Sequence, residues 1–270
     1  MSQTEGLQRI AMGVEYNGAP FCGWQRQVKQ MTVQATLEAA LSQVANHPVE
    51  TICAGRTDRS VHGVGQVIHF DTEAKRSLHA WLMGVNSNLP KSIRIRWVRP
   101  VVKEFHARFS ALSRTYGYFF YNNSVASAIF ATQCSWIREP LDLDKMQLGA
   151  QCLVGTHDFS AFRAAQCQAK SPQRTVHYVR LQRVSSTLLF LEIKANGFLH
   201  HMVRNIVGTL LPIGLGEKPI TWCEEVLTNK ERKQAGITAV GDGLYLLRVE
   251  YPEEFQLPQQ DFEYDVGNWL

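Results

Sequence analysis

The N-terminal part of the chain alternates between segments of strand periodicity and segments of helix periodicity. From Gln8 to Tyr16 apolar side chains occupy every second position, which predicts a strand with one buried face. After Thr32, which suits the N-cap of a helix, apolar side chains recur every three to four residues. The same patterns predict further strands at 49–54, 64–70 and 92–101 and a further helix at 77–85. The predicted order is therefore β-α-β-β-α-β.

A comparable series follows in the C-terminal part of the chain. We predict strands at 114–121, 175–184, 187–195 and 244–251, and helices at 143–154, 198–211 and 219–227. Two ferredoxin-like units joined near residues 105–113 account for a chain of this length. The predicted fold class is α+β, with two ferredoxin-like or RRM-like halves and antiparallel sheets. We place the N-terminal domain at 1–104 and the C-terminal domain at 105–270.

The composition is that of an ordinary globular protein. Of the 270 residues, 45% are hydrophobic and 19% are charged, which leaves ample apolar material for a core. No apolar stretch approaches the roughly 20 residues that a membrane span needs. Residues 1–8 are polar and include Glu5, so they do not form a signal peptide. We therefore expect a cytoplasmic protein without a membrane partner.

The cysteines and histidines give no clear sign of a metal site. The six cysteines include no C-x-x-C pair, and we expect reduced thiols in a cytoplasmic chain of this size. His200 and His201 are adjacent, and neighbouring residues of a helix point about 100° apart, so they are poorly placed to share one ion. We predict no bound metal.

The net charge of +4 is mild, but the basic residues are unevenly distributed. Between Arg94 and Arg114 there are six arginines and lysines and a single acid, Glu104. A concentrated basic stretch is typical of a surface that binds phosphate groups. A solvated strand face can have the same composition, so both interpretations stay open.

The densest group of polar residues lies in a loop between two predicted strands, in the segment Cys53-Ala-Gly-Arg-Thr-Asp-Arg-Ser-Val-His-Gly-Val-Gly-Gln-Val67. Arg56 and Asp58 are two residues apart, so an extended loop would point both side chains to one side. The arginine would keep the carboxylate ionised, and an ionised Asp58 can act as a nucleophile or as a base. An aspartate that only ties the loop to backbone N–H groups is the alternative.

Several other segments carry a recognisable combination of residues. They are Tyr16-x-Gly18-x-x-Phe21-x-Gly23-Trp24-Gln25, Phe105-His-Ala-Arg-Phe-Ser110 followed by Arg114-x-Tyr116-x-Tyr118, Gly155-x-His157-Asp158-Phe159-x-x-Phe162, and His200-His201-Met202-Val203-Arg204-Asn205. Together with the loop, and in this order, they resemble the TruA-type tRNA pseudouridine synthases from about Ile10 to Tyr251. The resemblance implies the pseudouridine synthase fold and the isomerisation of uridine to pseudouridine in tRNA. The implied targets are uridines on the 3′ side of the anticodon arm, at positions 38, 39 or 40 in tRNA numbering.

The resemblance also assigns roles to single residues. Asp58 corresponds to the catalytic aspartate, and Arg204 to the arginine that pairs with it. Tyr116 corresponds to the tyrosine that packs against the target base, and Arg56 to the arginine implicated in extruding that base. No atom is gained or lost in the reaction, so we expect no cofactor. Asp58 can attack C1′, abstract the 2′-hydrogen or attack C6 of uracil, and either Tyr116 or Asp58 can remove the proton from C5; these alternatives stay open.

A further set of residues corresponds to positions that contact tRNA in the family. They are Phe105, His106, Ala107, Arg108 and Phe109, then Gln166, Cys167, Gln168, Ala169 and Lys170, and Arg76. Arg108 stands foremost among them. The family enzyme is a homodimer in which one tRNA spans both subunits. We therefore expect tRNA and a second copy of this chain as partners, and a C-terminal domain that completes the active-site cleft.

The catalytic loop departs from the family pattern at two positions. Where the family usually has Ala-Gly after the aspartate, this chain has Arg59-Ser60. Glycine there suggests a backbone with positive φ, in which a serine costs about 1 kcal/mol. Arg59 either binds a phosphate or crowds the pocket. The alternative function is therefore a catalytically impaired tRNA-binding protein or RNA chaperone on the same scaffold.

Overall fold

The computed structural model describes residues 6–258, which divide into two compact units. Residues 6–112 and 246–258 form the first unit, and residues 113–245 form the second. The first unit thus extends beyond residue 104, where we placed the domain boundary. It also takes in most of the final strand, which the sequence assigned to the C-terminal domain.

Within residues 6–258 the chain forms ten strands and five α-helices. The strands are β1 Gln8–Tyr16, β2 Ile52–Cys53, β3 His62–Thr72, β4 Ile93–Val101, β5 Ser113–Asn122, β6 Ser135–Ile137, β7 Gly155–Asp158, β8 Gln173–Arg183, β9 Leu188–Ala195 and β10 Leu244–Glu250. The helices are α1 Val33–Ala45, α2 Leu78–Asn88, α3 Leu143–Ala150, α4 Met202–Gly214 and α5 Trp222–Asn229.

The first unit has the predicted order of elements, β1-α1-β2-β3-α2-β4. Its strands lie in the order β4-β1-β3-β2, and every one of these pairs is antiparallel. This confirms the ferredoxin-like α+β arrangement of the N-terminal half. The strand predicted at 49–54 is much shorter in the structure, because only Ile52 and Cys53 pair with β3.

Both helices of the first unit begin at a side-chain cap. Thr32 accepts a hydrogen bond from Ala35 N, and Ser77 accepts one from Ala80 N. Each cap satisfies a backbone donor that the helix itself leaves unpaired. The apolar side chains of the helices and of β1, β3 and β4 form one core. Its largest buried members include Trp24, Leu37, Phe70 and Trp81.

The second unit is built around β5, β9, β8 and β7, in that order, with antiparallel pairing. β10 begins beside β5, where Phe119 N donates to Gly243 O at 2.8 Å. Two strands, β6 and β7, are absent from the sequence prediction, because segments of three and four residues are too short to show a period. β6 pairs in parallel with β5, so the sheet is mostly rather than wholly antiparallel.

The helix predicted at 198–211 begins later, at Met202. His201 is its N-cap and has a φ of 62°, in the left-handed region. His200 and His201 are therefore not successive residues of a helix. This corrects the assumption, made from the sequence, that helix geometry points their side chains about 100° apart. Their rings lie together, with centroids 4.0 Å apart.

No helix within residues 6–258 is both long and apolar enough to cross a membrane. All six cysteines of the chain are free in the structure. Cys53, Cys134 and Cys223 are buried, and the other three are partly exposed.

Candidate active site

The loop that carries Arg56 and Asp58 is fixed to the N-terminal segment of the first unit. Thr57 O accepts a hydrogen bond from Trp24 N at 2.9 Å, and Thr57 Oγ1 lies 2.8 Å from Tyr16 Oη. Thr57 is 7% exposed, whereas Arg56 is exposed and Asp58 is half-buried. The central residue is thus buried and its two neighbours are more exposed, an alternation that is typical of an extended loop.

Two glycines allow the N-terminal segment to lie against this loop. A Cβ atom on Gly18 would lie 2.0 Å from Val61 O, and one on Gly23 would lie 2.8 Å from Thr57 O. Gly23 also has a φ of 87°, which side chains disfavour. Close approach of two backbones therefore explains the glycines of the first motif, and no chemical role is needed for them.

Two buried polar side chains hold the ends of the loop. Gln66 Nε2 donates to Gly55 O at 2.6 Å, and Gln66 Oε1 accepts from Gly55 N at 3.3 Å. His62 Nδ1 accepts from Gly18 N at 3.1 Å, so a neutral His62 ring carries its proton on Nε2. Gln66 is missing from the predicted site residues, although a glutamine inside an apolar strand is a signal that could have marked it.

The departure from the family pattern lies within a closed turn. Val61 N donates to Asp58 O at 3.2 Å across Arg59 and Ser60. Ser60 has a φ of 64°, which confirms that this position needs the left-handed backbone. Arg59 is exposed, and its Nη2 lies 3.1 Å from Cys22 Sγ. The chain thus accommodates both residues while the turn after Asp58 stays closed.

In the second unit, Tyr116 lies on β5 opposite Ile193 of β9. Its side chain is 8% exposed, and the ring of Phe198 packs edge-on against it with centroids 5.0 Å apart. Tyr118 and Phe120, which continue the same stripe, are fully buried. The stripe is therefore mainly core, and Tyr116 is its most exposed member.

Arg204 lies in the first turn of α4 and is half-buried. Its Nε donates to Ala239 O at 2.7 Å, and Ala239 N donates in return to Arg204 O at 3.1 Å. Because the guanidinium group is planar, a bond at Nε fixes one edge and so restricts the directions of the two Nη groups. The segment before β10 thus orients this side chain.

The segment Phe105–Phe109, predicted to contact RNA, divides into buried and exposed residues. Phe105 and Ala107 are both 0% exposed, and the ring of Phe105 packs on that of Tyr251 with centroids 5.2 Å apart. Arg108 is exposed, and Phe109 is 75% exposed. Only these two residues and the half-buried His106 present a side-chain surface.

Two residues that the sequence analysis missed hold this segment on the first unit. Arg9 donates to both carboxylate oxygens of Asp71 at 2.7 Å and to Phe105 O at 2.9 Å. His69 Nδ1 accepts from Ala107 N at 3.1 Å. Burial is the largest cause that lowers the pKa of His69 to about 4, and the charge of Arg9 is the next. The ring is therefore neutral near pH 7 and can accept this bond. Both residues alternate with core positions of β1 and β3, which is the signal that could have found them.

The predicted tRNA-contacting loop 166–170 is held by Arg163. Its Nη2 donates to Cys167 O at 2.6 Å and to Ala169 O at 2.9 Å. Burial acts to raise the pKa of the Cys167 thiol, but backbone hydrogen bonds at Ala169 and His200, with the charge of Arg163, outweigh it and lower the pKa. The exposed members of the loop are Gln166, Gln168 and Lys170.

Arg76 lies between β3 and α2 and is exposed, with Nε donating to Val44 O at 3.2 Å. Each unit therefore carries part of the predicted set. The first holds Arg56, Asp58, Arg76 and residues 105–109, and the second holds Tyr116, Arg204 and residues 166–170.

The chain is similar to known proteins over most of its length. A family model described as tRNA pseudouridine synthase matches residues 12–110 and 150–252. The tRNA pseudouridine synthase A of Pseudomonas aeruginosa is 54% identical over 260 residues, covering 96% of this chain and 91% of that protein. The enzyme of the same name from Pseudoalteromonas atlantica is 52% identical over 251 residues, covering 93% of this chain and 95% of that protein.

One solved structure to which the chain is similar is more distant in sequence. A chain from the structure of an H/ACA ribonucleoprotein bound to a substrate RNA containing 2′-deoxyuridine has a TM-score of 0.36 and 11% identity, covering 75% of this chain and 44% of that chain. The matches to the sequence relatives cover nearly the whole length of those proteins, and the family model matches both halves of the chain. The chain therefore belongs to the tRNA pseudouridine synthase family, whose members are isomerases that act on tRNA.

Proposed function

We propose that this protein isomerises uridine to pseudouridine on the 3′ side of the tRNA anticodon arm, at positions 38, 39 or 40 in tRNA numbering, with Asp58 as the catalytic nucleophile. The observation that carries the proposal is the family match, which includes both Asp58 and Arg204 within residues 12–110 and 150–252. The closed turn at Asp58 and the oriented guanidinium of Arg204 support these two assignments.

The reaction leaves the atomic composition of the substrate unchanged. The N1–C1′ bond breaks, the uracil turns, and a C5–C1′ bond forms while the C5 proton leaves to water and N1 takes up a proton. Asp58 lies on a loop whose backbone is held at Thr57 O and at its own carbonyl oxygen. A carboxylate on a fixed backbone starts close to its reactive geometry, which lowers the entropic part of the barrier. We propose no cofactor and no metal.

The target base must leave its stack before it reacts, which costs a few kcal/mol. Arg56 is exposed next to the buried Thr57 and is suited to fill the space that the base vacates. Tyr116 offers an aromatic surface whose orientation is fixed by the edge of Phe198. We assign extrusion of the base to Arg56 and contact with the base to Tyr116.

The exposed residues of the segment 105–109 are suited to bind RNA. Arg108 lies over the ring of Phe109, with Cζ 5.5 Å from the ring centroid. An exposed aromatic ring can stack on an unpaired base, and a neighbouring arginine can bind a phosphate group. We therefore narrow direct contact to His106, Arg108 and Phe109, and assign a supporting role to Phe105 and Ala107. Gln166, Gln168, Lys170 and Arg76 remain proposed tRNA contacts.

The alternative, an impaired tRNA-binding protein or RNA chaperone, depended on Arg59-Ser60. The closed turn and the left-handed Ser60 speak against it, since the loop tolerates both residues. We also propose a homodimer in the cytoplasm. Light scattering at micromolar concentration tests the first point, and a monomer mass would contradict it.

The deciding experiment measures tritium released to water from unmodified tRNA labelled at uracil C5, with purified protein and no added cofactor. We expect release by the unsubstituted protein and none by Asp58→Asn, with tRNA affinity retained by both. Release by Asp58→Asn would contradict the assignment of Asp58. Absence of release by the unsubstituted protein, with bound tRNA confirmed, would favour the binding protein.

A further inference from the structure

A short segment of the second unit lies against the start of α4. Residues 232–240 run from a turn of 3-10 helix, Arg232–Gln234, to the residues before β10. We call this segment the strap. It contains Ala239, whose N–H and carbonyl oxygen both bond to Arg204. The strap is thus the direct support of the Arg204 guanidinium.

The strap is held by a buried amide. Asn205, the neighbour of Arg204, is 0% exposed. Its Oδ1 accepts from Thr238 Oγ1 at 2.7 Å and from Arg232 Nη2 at 3.0 Å, and its Nδ2 donates to Phe162 O at 2.7 Å. Arg232 Nη2 also lies 2.8 Å from Thr238 Oγ1, which closes a triangle of side chains.

The backbones of α4 and the strap touch. A Cβ atom on Gly208 would lie 1.7 Å from Ile237 O, and one on Gly236 would lie 1.9 Å from Gly208 O. Pro212 has no N–H, so it cannot give Gly208 O its usual helical hydrogen bond, and the strap can pass there. Gly236 N also donates to Thr209 Oγ1 at 3.1 Å.

These contacts connect the buried amide of Asn205 to the strap, and the strap to Arg204. We infer that Arg232, Asn205 and Thr238 are positioning residues, which hold Ala239 so that its carbonyl oxygen aims the guanidinium of Arg204 at the reacting groups. The inference rests on the proposed catalytic role of Arg204. When the group that holds a long side chain moves, the charged end of that side chain is displaced. A displacement of about 1 Å can cost about 100-fold in rate.

Thr238→Val is the cleanest test, because it removes the hydroxyl group and keeps the shape of the side chain. We expect the single-turnover rate to fall about tenfold, because Ala239 then holds the guanidinium of Arg204 less precisely. The dissociation constant for tRNA should stay within about twofold, because the inferred role of Thr238 is to hold the strap and not to bind the substrate. Thr156→Val is the matched control: it removes a hydroxyl that bonds Thr175 Oγ1 at 2.8 Å in the same unit, and its rate should not change.

A double-mutant cycle separates aiming from simple stabilisation. Arg204→Lys keeps the charge and removes the Nε–H that bonds Ala239. If the strap acts through Arg204, Thr238→Val has no further effect on the rate in the Arg204→Lys background. The same tenfold loss in both backgrounds would overturn the inference. If Thr238→Val does not fold, Arg232→Lys replaces it in the cycle, because it keeps the charge and loses the forked contact.

The outcomes also distinguish this inference from the proposed function. A rate unchanged by Arg204→Lys would remove the catalytic role of Arg204 and, with it, the role of the strap. A rate lowered by Arg204→Lys, with Thr238→Val no slower than Thr156→Val, would overturn the strap alone and leave the proposed function intact.

Discussion

The Asp58 loop of the first unit and the start of α4 in the second each present one charged side chain, and the two side chains differ in length. Near Asp58, backbone hydrogen bonds form at Thr57 O from Trp24 N and at Asp58 O from Val61 N. Near Arg204, Ala239 N donates to the Arg204 carbonyl oxygen, and Nε of the side chain donates to Ala239 O.

The difference in length changes how far a fixed backbone confines the charged group. An aspartate has two rotatable bonds, so a fixed backbone already confines its carboxylate. An arginine has four, and about 2 kcal/mol of rotamer entropy opposes its immobilisation. A short catalytic group can therefore be placed by its loop, whereas a long one needs a partner that holds the side chain itself.

Asp58→Glu should lower the reaction rate more than the substitutions of other residues. The variant keeps the charge and adds one methylene group, which moves the carboxylate by about 1 Å on a backbone that cannot shift to compensate. We expect the single-turnover rate to fall by about 100-fold or more. Retention of a tenth of the rate, measured by tritium release at saturating enzyme, would mean that the loop does not confine the carboxylate.

The segment 105–109 contains one buried and one exposed phenylalanine, and substitution of the two should affect different properties of the protein. Phe105→Ala should lower the free energy of unfolding by about 3–5 kcal/mol, because it empties a fully buried site. Phe109→Ala should leave that free energy within about 0.5 kcal/mol and weaken tRNA binding by about 1–3 kcal/mol. Urea unfolding and filter binding measure the two effects. Equal effects of the two variants on both quantities would contradict the division of the motif.

Tyr16→Phe tests the side-chain hydrogen bond that holds Thr57, the neighbour of Asp58. The variant removes the hydroxyl that lies 2.8 Å from Thr57 Oγ1 in a buried site. We expect a loss of about 1–2 kcal/mol in the free energy of unfolding, and a lower single-turnover rate at unchanged tRNA affinity. Tyr178→Phe, which loses a bond to Glu192 at 2.9 Å in the second unit, is the matched control and should keep its rate. Equal rates for the two variants would show that the Tyr16 hydroxyl does not restrain the loop.

Ser60→Gly should have the smallest effect and the opposite sign. Glycine adopts the left-handed backbone of this position without strain, so the free energy of unfolding should rise by about 0.5–1 kcal/mol. The rate should stay within about twofold, since the turn is already closed with serine. Ser124→Gly, at a position outside the left-handed region, should not stabilise the protein. A large gain in rate for Ser60→Gly would mean that Arg59-Ser60 impairs catalysis.

Local sequence patterns determined the elements of the first unit closely. The alternation from Gln8 to Tyr16 matches β1, and Thr32 caps α1 as predicted. The left-handed backbone at Ser60 was also predictable, because the requirement for positive φ belongs to a single residue. These features are encoded locally, since the period of a strand or helix and the conformation of one turn depend on neighbouring positions.

Only the tertiary structure decided which side chains support the candidate site. Thr238 and Asn205 are 33 positions apart, and Arg9 and Phe105 are 96 apart. The burial of Phe105 beside the exposed Phe109 likewise depends on Tyr251, far along the chain. Hydrogen bonds and packing between distant segments exist only after the chain has folded, and no local period records them. The sequence therefore identified the residues proposed to act, and the fold determined what holds them.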